Sequence, residues 1–418
     1  MPCCITTENF DRPSGSLFHY GWVIVFASFV VGVCGYGTYF SFTLFYPQFV
    51  AEFGWSRTAI SGAMSLALIS YAACALPMGW CADRFGPRRT IVAGGLIFGL
   101  GTALGALVSE IWHLYALYGG VSALGMGVVW APLVSTVSRW FIARRGLAVG
   151  IGSLGGGTGA FFIAPLATLL IQTVGWRSAY VWLGLISGGL IVAAALLMYR
   201  DPEDKGHLAY GSVDKQRPGA QARPSGSQFT GLRSIARTWT FWHLALTFGF
   251  WWFGGAIVYV QIAPFILEKG FDIGVATMAV VAFGAGNGVG KIVMGQLCDR
   301  IGNHAAYHSA MAVAAFSMIA LAFASDEMPA LLLCGLFGFG FGGASVQITT
   351  ISVDLFGVGS AGALMGAVLA LIGLIGAGGP LLGGIVFDAS GSYVNAYILG
   401  AVALLFSMTL LTTVARSP

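Results

Sequence analysis

Residues 79–89 read Gly-Trp-Cys-Ala-Asp-Arg-Phe-Gly-Pro-Arg-Arg, and residues 295–303 read Gly-Gln-Leu-Cys-Asp-Arg-Ile-Gly-Asn. A glycine, an Asp-Arg pair and a second glycine recur at matched positions in the two stretches, which lie 216 residues apart. Each copy follows a long apolar run and ends it with charged residues. Two copies in register at this distance predict a chain made of two similar halves.

The composition places the chain in a lipid environment. Only 9% of its residues are charged and 57% are hydrophobic, whereas an average soluble protein has about 25% charged residues. This excludes soluble enzymes, secreted disulfide scaffolds and disordered chains. The seven cysteines include no Cys-x-x-Cys pair, so they predict neither a disulfide framework nor a metal site. The chain is therefore expected to cross the membrane many times.

Apolar runs bounded by charged or turn residues predict the transmembrane helices, since each run is long enough to cross about 30 Å of hydrocarbon. Only helices satisfy their own backbone groups in lipid at these lengths, so we predict an all-α membrane protein. The twelve predicted transmembrane helices are residues 20–47, 57–80, 89–109, 112–138, 146–173, 178–199, 240–267, 273–297, 304–324, 328–352, 360–386 and 393–414. They form two pseudo-symmetric six-helix halves, residues 1–199 and 239–418.

Residues 200–238 differ from both halves, because they contain three prolines and charges of both signs. This composition predicts a solvated cytoplasmic linker. A basic segment that binds a partner is the alternative.

Basic residues set the predicted orientation. With both termini in the cytoplasm, three of the twenty lie outside (Arg57, Arg177 and Lys269), Lys291 lies within a span, and the other sixteen are cytoplasmic. Such a bias follows the positive-inside rule and requires an even number of spans. We expect a multi-pass protein of the plasma membrane, which in a bacterium is the cell inner membrane.

The repeated motif carries the first family resemblance. Gly-x-x-x-Asp-Arg-x-Gly-x-Arg-Arg resembles the loop 2–3 motif of the major facilitator superfamily, and the second copy lacks the trailing basic pair. The resemblance implies the major facilitator fold and a cytoplasmic gate, in which Asp-Arg pairs make charge-assisted hydrogen bonds. The gating residues of the two copies are Gly79, Asp83, Arg84, Arg88, Arg89, Gly295, Asp299 and Arg300.

A second segment narrows the resemblance. Residues 140–150 read Trp-Phe-Ile-Ala-Arg-Arg-Gly-Leu-Ala-Val-Gly. They resemble a segment of the monocarboxylate transporters and their bacterial relatives, including oxalate/formate antiporters. The resemblance implies transport of a small organic anion by alternating access, and it adds Arg144 and Arg145 to the gating residues.

Lys291 is the only charged side chain that falls in the interior of a predicted span, and all sixteen carboxylates can be placed outside the membrane core. A charge there costs about 2.5–3.5 kcal/mol, and an anionic substrate would offset that cost. Asn287 lies four residues earlier and so shares its helix face. Snorkelling of Lys291 to the cytoplasmic surface is the alternative.

Monocarboxylate transporters carry an Asp and an Arg at this spacing, where the Arg binds the carboxylate and the Asp is tied to proton coupling. In this chain Asn287 stands in place of the Asp, and Lys291 stands in place of the Arg. Loss of the carboxylate puts coupling through an Asp in doubt. Two alternatives stay open: a proton carried through Lys291 with the substrate, or anion exchange without protons.

Other polar groups within the spans are candidates for the cavity wall. By analogy with the superfamily, the first helix of each half lines the cavity, and packing is the alternative for each aromatic residue. The candidates in these first helices are Tyr36, Tyr39 and Tyr259. In the fourth predicted helix, Tyr118 resembles an aromatic position near the substrate in this branch, with Tyr115 as the alternative, and Gln347 in the tenth is a polar group at membrane depth.

Other chemistries have little support. The sequence contains no phosphate-binding loop and no histidine deep in a span, so we expect no metal, no cofactor and no enzyme activity. The expected partners are a small organic anion, with or without a proton, and the lipid bilayer. We expect a monomer that binds no nucleic acid.

The leading hypothesis is a secondary active or facilitative transporter of a monocarboxylate of the lactate or pyruvate type. A dicarboxylate or formate exchanger and an efflux transporter are alternatives. A sensor built on a transporter fold is the hypothesis from a different class.

Overall fold

The computed structural model describes residues 19–211, 237–356 and 361–414, and nearly all of them are helical. Most of the predicted linker, at 212–236, and the chain termini lie outside this range. We number the membrane-crossing segments span 1 to span 12 in chain order.

The first six spans form the N-terminal half. Span 1 consists of helices Gly21–Phe40 and Phe42–Phe53, span 2 is Arg57–Phe85, and span 3 is Pro87–Leu104. Span 4 covers 111–140, and spans 5 and 6 lie within the helix Arg145–Leu196. The C-terminal half contains Trp239–Glu268, Ile273–Ile301, Asn303–Phe323, Glu327–Phe356, the pair Ala361–Gly376 and Gly378–Ser390, and Val394–Val414, which are spans 7 to 12.

Among the described residues, ten helices are long and apolar enough to cross a membrane. Two features of the chain account for the difference between these ten helices and the twelve spans. Gly175 has non-helical angles (φ 80°, ψ 159°) and divides the Arg145–Leu196 helix into two spans. Span 4 is broken into the short helices Ile111–Leu114, Tyr115–Ser122, Ala123–Met126 and Ala131–Trp140, the second of them a π-helix. The predicted all-α fold of twelve helices is confirmed, with span 4 irregular.

The repeated motif adopts the same backbone turn in both halves. Gly86 has φ 87° and ψ 152°, and Gly302 has φ 83° and ψ 155°. Each is the single residue between two long helices. A side chain is rarely tolerated at such positive φ, so glycine is required at both positions.

Successive spans run in opposite directions, so the loops between them lie at two opposite ends of the bundle. We call the end with the two motif turns the linker end and the opposite one the distal end. Hydrogen bonds join the two halves at the distal end. The Ala263 amide donates to Thr43 Oγ1 at 3.1 Å, and the hydroxyls of Thr168 and Thr277 lie 2.6 Å apart.

Asp388 adds a third connection at the distal end. Its carboxylate, in span 11, accepts hydrogen bonds from the backbone amides of Arg57 (3.1 Å) and Thr58 (2.9 Å). These amides are among the first of span 2 and have no partner within their own helix. A residue of the C-terminal half therefore caps a helix of the N-terminal half, where a negative charge is also favoured by the helix dipole.

Part of the predicted linker packs on the N-terminal half. The Tyr210 amide donates to the Trp140 carbonyl at 2.9 Å, and the Tyr210 carbonyl accepts from Ile142 and Ala143, each at 3.0 Å. Trp140 Nε1 donates to the Tyr199 carbonyl at 3.0 Å. Residues 199–211 therefore lie against the loop between spans 4 and 5. The boundaries at 199 and 239 stay a prediction.

Candidate functional site

A cavity of about 130 Å³ lies between the halves, at mid-height of the bundle. Spans 1, 2, 4 and 5 line it on one side and spans 7, 8, 10 and 11 on the other. Its aromatic lining residues are Tyr36, Tyr39, Phe40, Tyr71, Trp130, Trp251, Trp252 and Phe341. Because both halves contribute, a change in their relative position would change the cavity.

Lys291 is the charged residue of the cavity lining. Among the described residues, no acidic side chain forms an ion pair with it. Asn287, one helical turn earlier, also lines the cavity, and its Oδ1 is buried without a hydrogen-bond partner. The pair therefore presents a cation and an unsatisfied amide to the same space, and the cavity carries a formal positive charge.

Gly157 of span 5 lies directly against this pair. A Cβ atom built on Gly157 would be 2.6 Å from Asn287 Oδ1 and 3.4 Å from Lys291 Nζ. Real Cβ contacts essentially never fall below 3.0 Å. Only glycine therefore fits here without displacing the amide.

Small residues bring spans 5 and 8 this close along their length. A Cβ on Gly288 would lie 2.6 Å from Thr158 Cγ2, and one on Gly284 would lie 2.8 Å from the Phe161 amide nitrogen. Such contacts between small residues are the usual way in which helix backbones approach in membranes. The two halves thus meet beside Lys291 through backbone.

Tyrosines on the N-terminal side add hydroxyl groups. Tyr36 and Tyr71 lie in the cavity lining, and their hydroxyls are 3.0 Å apart. Tyr39 also lines the cavity, its ring stacks on Tyr118 with centroids 5.9 Å apart, and its buried hydroxyl faces that of Tyr259. Four residues predicted from the sequence therefore meet in one cavity: Lys291, Asn287, Tyr36 and Tyr39.

The other three predicted wall residues lie outside the cavity lining. Tyr118 donates to the Tyr39 carbonyl at 3.1 Å, and Tyr259 packs edge-on against Phe40 with ring centroids 5.0 Å apart. The fully buried Gln347 amide faces backbone carbonyls of its own helix, at Gly343 and Ala344. All three therefore pack within their own half or against the residues that form the wall.

Sequence reasoning missed several residues of the site. Tyr71, Trp130, Phe341 and Ser345 line the cavity, and Gly157 bounds it. Tyr71 is the only tyrosine of span 2, which was an available signal. The others have no signal of their own, since aromatic and small residues are common throughout the spans.

The first copy of the motif engages a residue outside the motif. Arg139 at the end of span 4 pairs with Asp83 at 3.1 Å and with Asp201 at 3.4 Å. Arg84 instead lies over the ring of Trp80, 5.4 Å from its centroid. The Asp83 side chain is 64% exposed, so its ion pair is expected to stabilise the half by at most about 1 kcal/mol.

The remaining predicted gating residues lie at the linker end. Gly79 and Gly295 are half-buried within spans 2 and 8. The exposed ones are Arg88, Arg89, Arg144 and Arg300. Arg144 has a left-handed backbone (φ 57°) in the loop before span 5. The side chains of Arg145 and Asp299 lie outside the described part of the chain. The gate stays a prediction.

No group of three or more His, Cys, Asp or Glu side chains that could hold a metal ion occurs among the described residues. The chemistry of the cavity is therefore that of one ammonium group, amide and hydroxyl groups, and aromatic rings. Such a set can bind and orient an anion.

Known proteins resemble the chain over nearly its whole length. Human monocarboxylate transporter 11 is 28% identical over 412 residues, which cover 96% of this chain and 83% of that protein. Monocarboxylate transporter 13 of Bos taurus is 26% identical over 410 residues, covering 96% of this chain and 90% of that protein. The predicted resemblance to this branch is confirmed.

Solved structures share the fold at low identity. A crystal structure of a bacterial homologue of the human lysosomal transporter Spinster, in an inward-facing and occupied conformation, has a TM-score of 0.72 at 18% identity and covers 97% of this chain and 98% of that one. A partially occluded inward open structure of the E. coli xylose transporter XylE has a TM-score of 0.73 at 15% identity, covering 96% and 100%.

The description of one family model is Major Facilitator Superfamily, and it matches residues 24–380 and 279–418. Together with the two helical halves around a central cavity, this match shows that the chain belongs to the Major Facilitator Superfamily.

Proposed function

We propose that the protein carries a monoanionic organic acid, a monocarboxylate, across the plasma membrane by alternating access. The observation that supports this most directly is Lys291, a cation without an acidic partner among the described residues, in the lining of the cavity between the halves. An ammonium in a site of low dielectric binds a carboxylate by a charge-assisted hydrogen bond. The names of the relatives agree with a carboxylate cargo.

The remaining cavity residues have positioning roles in this proposal. The unsatisfied Oδ1 of Asn287 accepts a hydrogen bond from a substrate hydroxyl. One of the Tyr36 and Tyr71 hydroxyls donates to the other, and the hydroxyl that accepts keeps its own proton to donate to a carboxylate oxygen. One cation balances one carboxylate, so a second carboxylate in the cavity would be an uncompensated charge. The proposal therefore favours a monocarboxylate over a dicarboxylate exchanger.

The proposed cycle rocks the two halves about the bound acid. The linker end is cytoplasmic in this proposal, as are both termini, so closure at the distal end by Asp388 and Thr43 corresponds to an inward-facing state. Opening to the outside would require these hydrogen bonds to break while the linker end closes. One monomer contains the whole cavity.

Uptake of labelled L-lactate into proteoliposomes tests the proposal. We expect uptake by the wild type and loss of uptake in Lys291→Ala. The matched control is Lys269→Ala, because that ammonium is at the distal end and donates to the Ala322 carbonyl at 2.9 Å. Equal uptake by wild type and Lys291→Ala would reject the binding role of Lys291.

An inward proton gradient in the same assay tests whether transport of the acid is coupled to protons. Stimulation by the gradient would indicate a proton carried with the acid, with Lys291 as its carrier, because Asn287 offers no carboxylate. Uptake that depends on Lys291 but not on the gradient, and that accelerates with unlabelled acid inside, would indicate exchange.

A further inference from the structure

Eight aromatic residues line the cavity, and a short acid bound at Lys291 would contact only some of them. We infer that the preferred substrates are monocarboxylates with an aromatic ring one or two carbons from the carboxylate, which rests on the proposed function and narrows its substrate class. The carboxylate is at Lys291, and the ring lies between aromatic walls of the two halves.

The volume supports a larger substrate. A water-sized group needs about 10–15 Å³ of such space, so a cavity of about 130 Å³ holds roughly ten. Lactate would fill roughly half of this volume and would leave water against apolar walls, whereas lactate with an added phenyl ring would fill it. Displacing that water by apolar groups is favourable.

The wall contributed by the C-terminal half is flat and rigid. Trp251 and Phe341 stack with ring centroids 4.6 Å apart and planes 21° apart, and Trp252 lies 5.5 Å from Phe341. Trp251 and Phe341 are almost fully buried and are held in place by this packing. They therefore hold the neighbouring Trp252 in position. Trp252 is half-buried and lines the cavity, so a ligand ring can stack against it or meet it edge-on with little ordering cost.

The opposite wall supplies more rings with polar edges. Tyr36 and Tyr71 are held in place by their mutual hydrogen bond, and Trp130 lies at the break in span 4. One buried donor of the lining, Trp251 Nε1, has no partner among the described residues. Buried donors are rarely left unpaired, so a hydroxyl or keto oxygen on the substrate is the natural acceptor. An aromatic 2-hydroxy acid meets all these conditions, because its hydroxyl can accept one hydrogen bond and donate another to Asn287 Oδ1.

Binding to the purified wild-type protein tests the inference with three matched probes: L-lactate, L-3-phenyllactate and L-3-cyclohexyllactate. They share the hydroxy acid and differ only in the added ring and its π-system. We expect phenyllactate to bind about tenfold more tightly than lactate and about threefold more tightly than cyclohexyllactate, since aromatic contacts add to the burial of area.

A tryptophan variant tests whether the preference for an aromatic substrate depends on the wall contributed by the C-terminal half. Trp252→Leu should reduce the ratio of phenyllactate to lactate affinity about threefold or more. Trp239→Leu is the control, because Trp239 is 80% exposed at the start of span 7, and there the ratio should not change. The wild-type ratios decide the question even if Trp252→Leu does not fold.

Each outcome separates the inference from the proposed function. Phenyllactate that binds no more tightly than lactate, or no more tightly than cyclohexyllactate, overturns the aromatic preference. If lactate still binds to the wild type, and binding is lost in Lys291→Ala measured in parallel, the proposed function stands. Failure of all three acids to bind would overturn both.

Discussion

The C-terminal wall of the cavity carries the charge, whereas the N-terminal wall carries hydroxyl groups and bare backbone. Lys291 and Asn287 project from span 8 toward Gly157, which has no side chain to oppose them. On the same N-terminal side, Tyr36 and Tyr71 share one hydrogen bond. Under the proposed function, the charge that binds an anion therefore comes from one half, while the other half contributes hydroxyl groups and a close backbone contact.

Lys291→Gln removes the charge from the C-terminal wall and is expected to have the largest effect. A hydrogen bond to a charged group contributes about 1.5–3 kcal/mol, so affinity for a monocarboxylate should fall roughly 10- to 150-fold. Equilibrium binding to the purified protein measures it, with Lys269→Gln as the control at the distal end. A change of less than twofold would mean that the two walls do not differ as described.

Gly157→Ala alters the opposite wall without changing its charge. The added methyl would lie 2.6 Å from Asn287 Oδ1, so the amide must move, and affinity should fall about tenfold. The control Gly150→Ala lies in the same helix with nothing within 4 Å of its Cβ position. Because alanine favours helix over glycine by about 1 kcal/mol, the control should be at least as stable as wild type. Equal affinities in the two variants would refute the tight contact.

Asp388→Ala tests the connection that the C-terminal half makes to the N-terminal half. Loss of a helix cap costs about 0.5–2 kcal/mol, here only in the state with a closed distal end. The population should therefore shift about fivefold toward opening. Spin labels at positions 110 and 326, in a background without native cysteines, would report longer distances.

A cap that stays within one half is the matched control for Asp388. Asp272 accepts from the Val275 amide at 2.9 Å at the start of its own span 8. Asp272→Ala should lower the melting temperature but leave the distance between the labels unchanged. A similar shift in both variants would show that Asp388 has no special part in closure.

Tyr71→Phe is expected to have the smallest effect, because it removes one hydroxyl from the N-terminal wall. Tyr36 can still donate to the carboxylate in this variant, so the bond that is lost is the neutral one between the two tyrosines. Such a bond contributes about 0.5–1.5 kcal/mol, so affinity should fall about threefold. Tyr115→Phe is the control: Tyr115 donates to the Ala59 carbonyl at 2.9 Å and is not part of the cavity lining. A loss as large as that of Lys291→Gln would put the hydroxyl pair at the centre of binding.

The fold was accessible from sequence because length and hydropathy constrain a helix in lipid. The motif repeat gave the two halves, and the matched turns at Gly86 and Gly302 agree with it. The break in span 4 was not predicted, since apolar composition does not distinguish a regular helix from one containing a π-helical stretch. The packing of residues 199–211 was missed because it depends on contacts distant in sequence.

The site was predictable where a residue was out of place for lipid. Lys291 and Asn287 are polar groups within an apolar span, so the sequence alone reveals that placing them in lipid costs free energy. The same criterion also selected Tyr259 and Gln347, which pack outside the cavity lining. Trp130 and Phe341 were missed, because an aromatic residue in a span has the same sequence signal whether it faces lipid, core or cavity.

Because Asp388 caps span 2 only when the distal end is closed, hydrogen exchange at two backbone amides reports whether that end is open or closed. The amides of Arg57 and Thr58 are the kind that exchange quickly at a free helix N-terminus, and here the other half of the protein protects them. Their deuterium uptake would therefore follow the fraction of molecules with an open distal end. A substrate that favours one state would change this uptake without any label being attached.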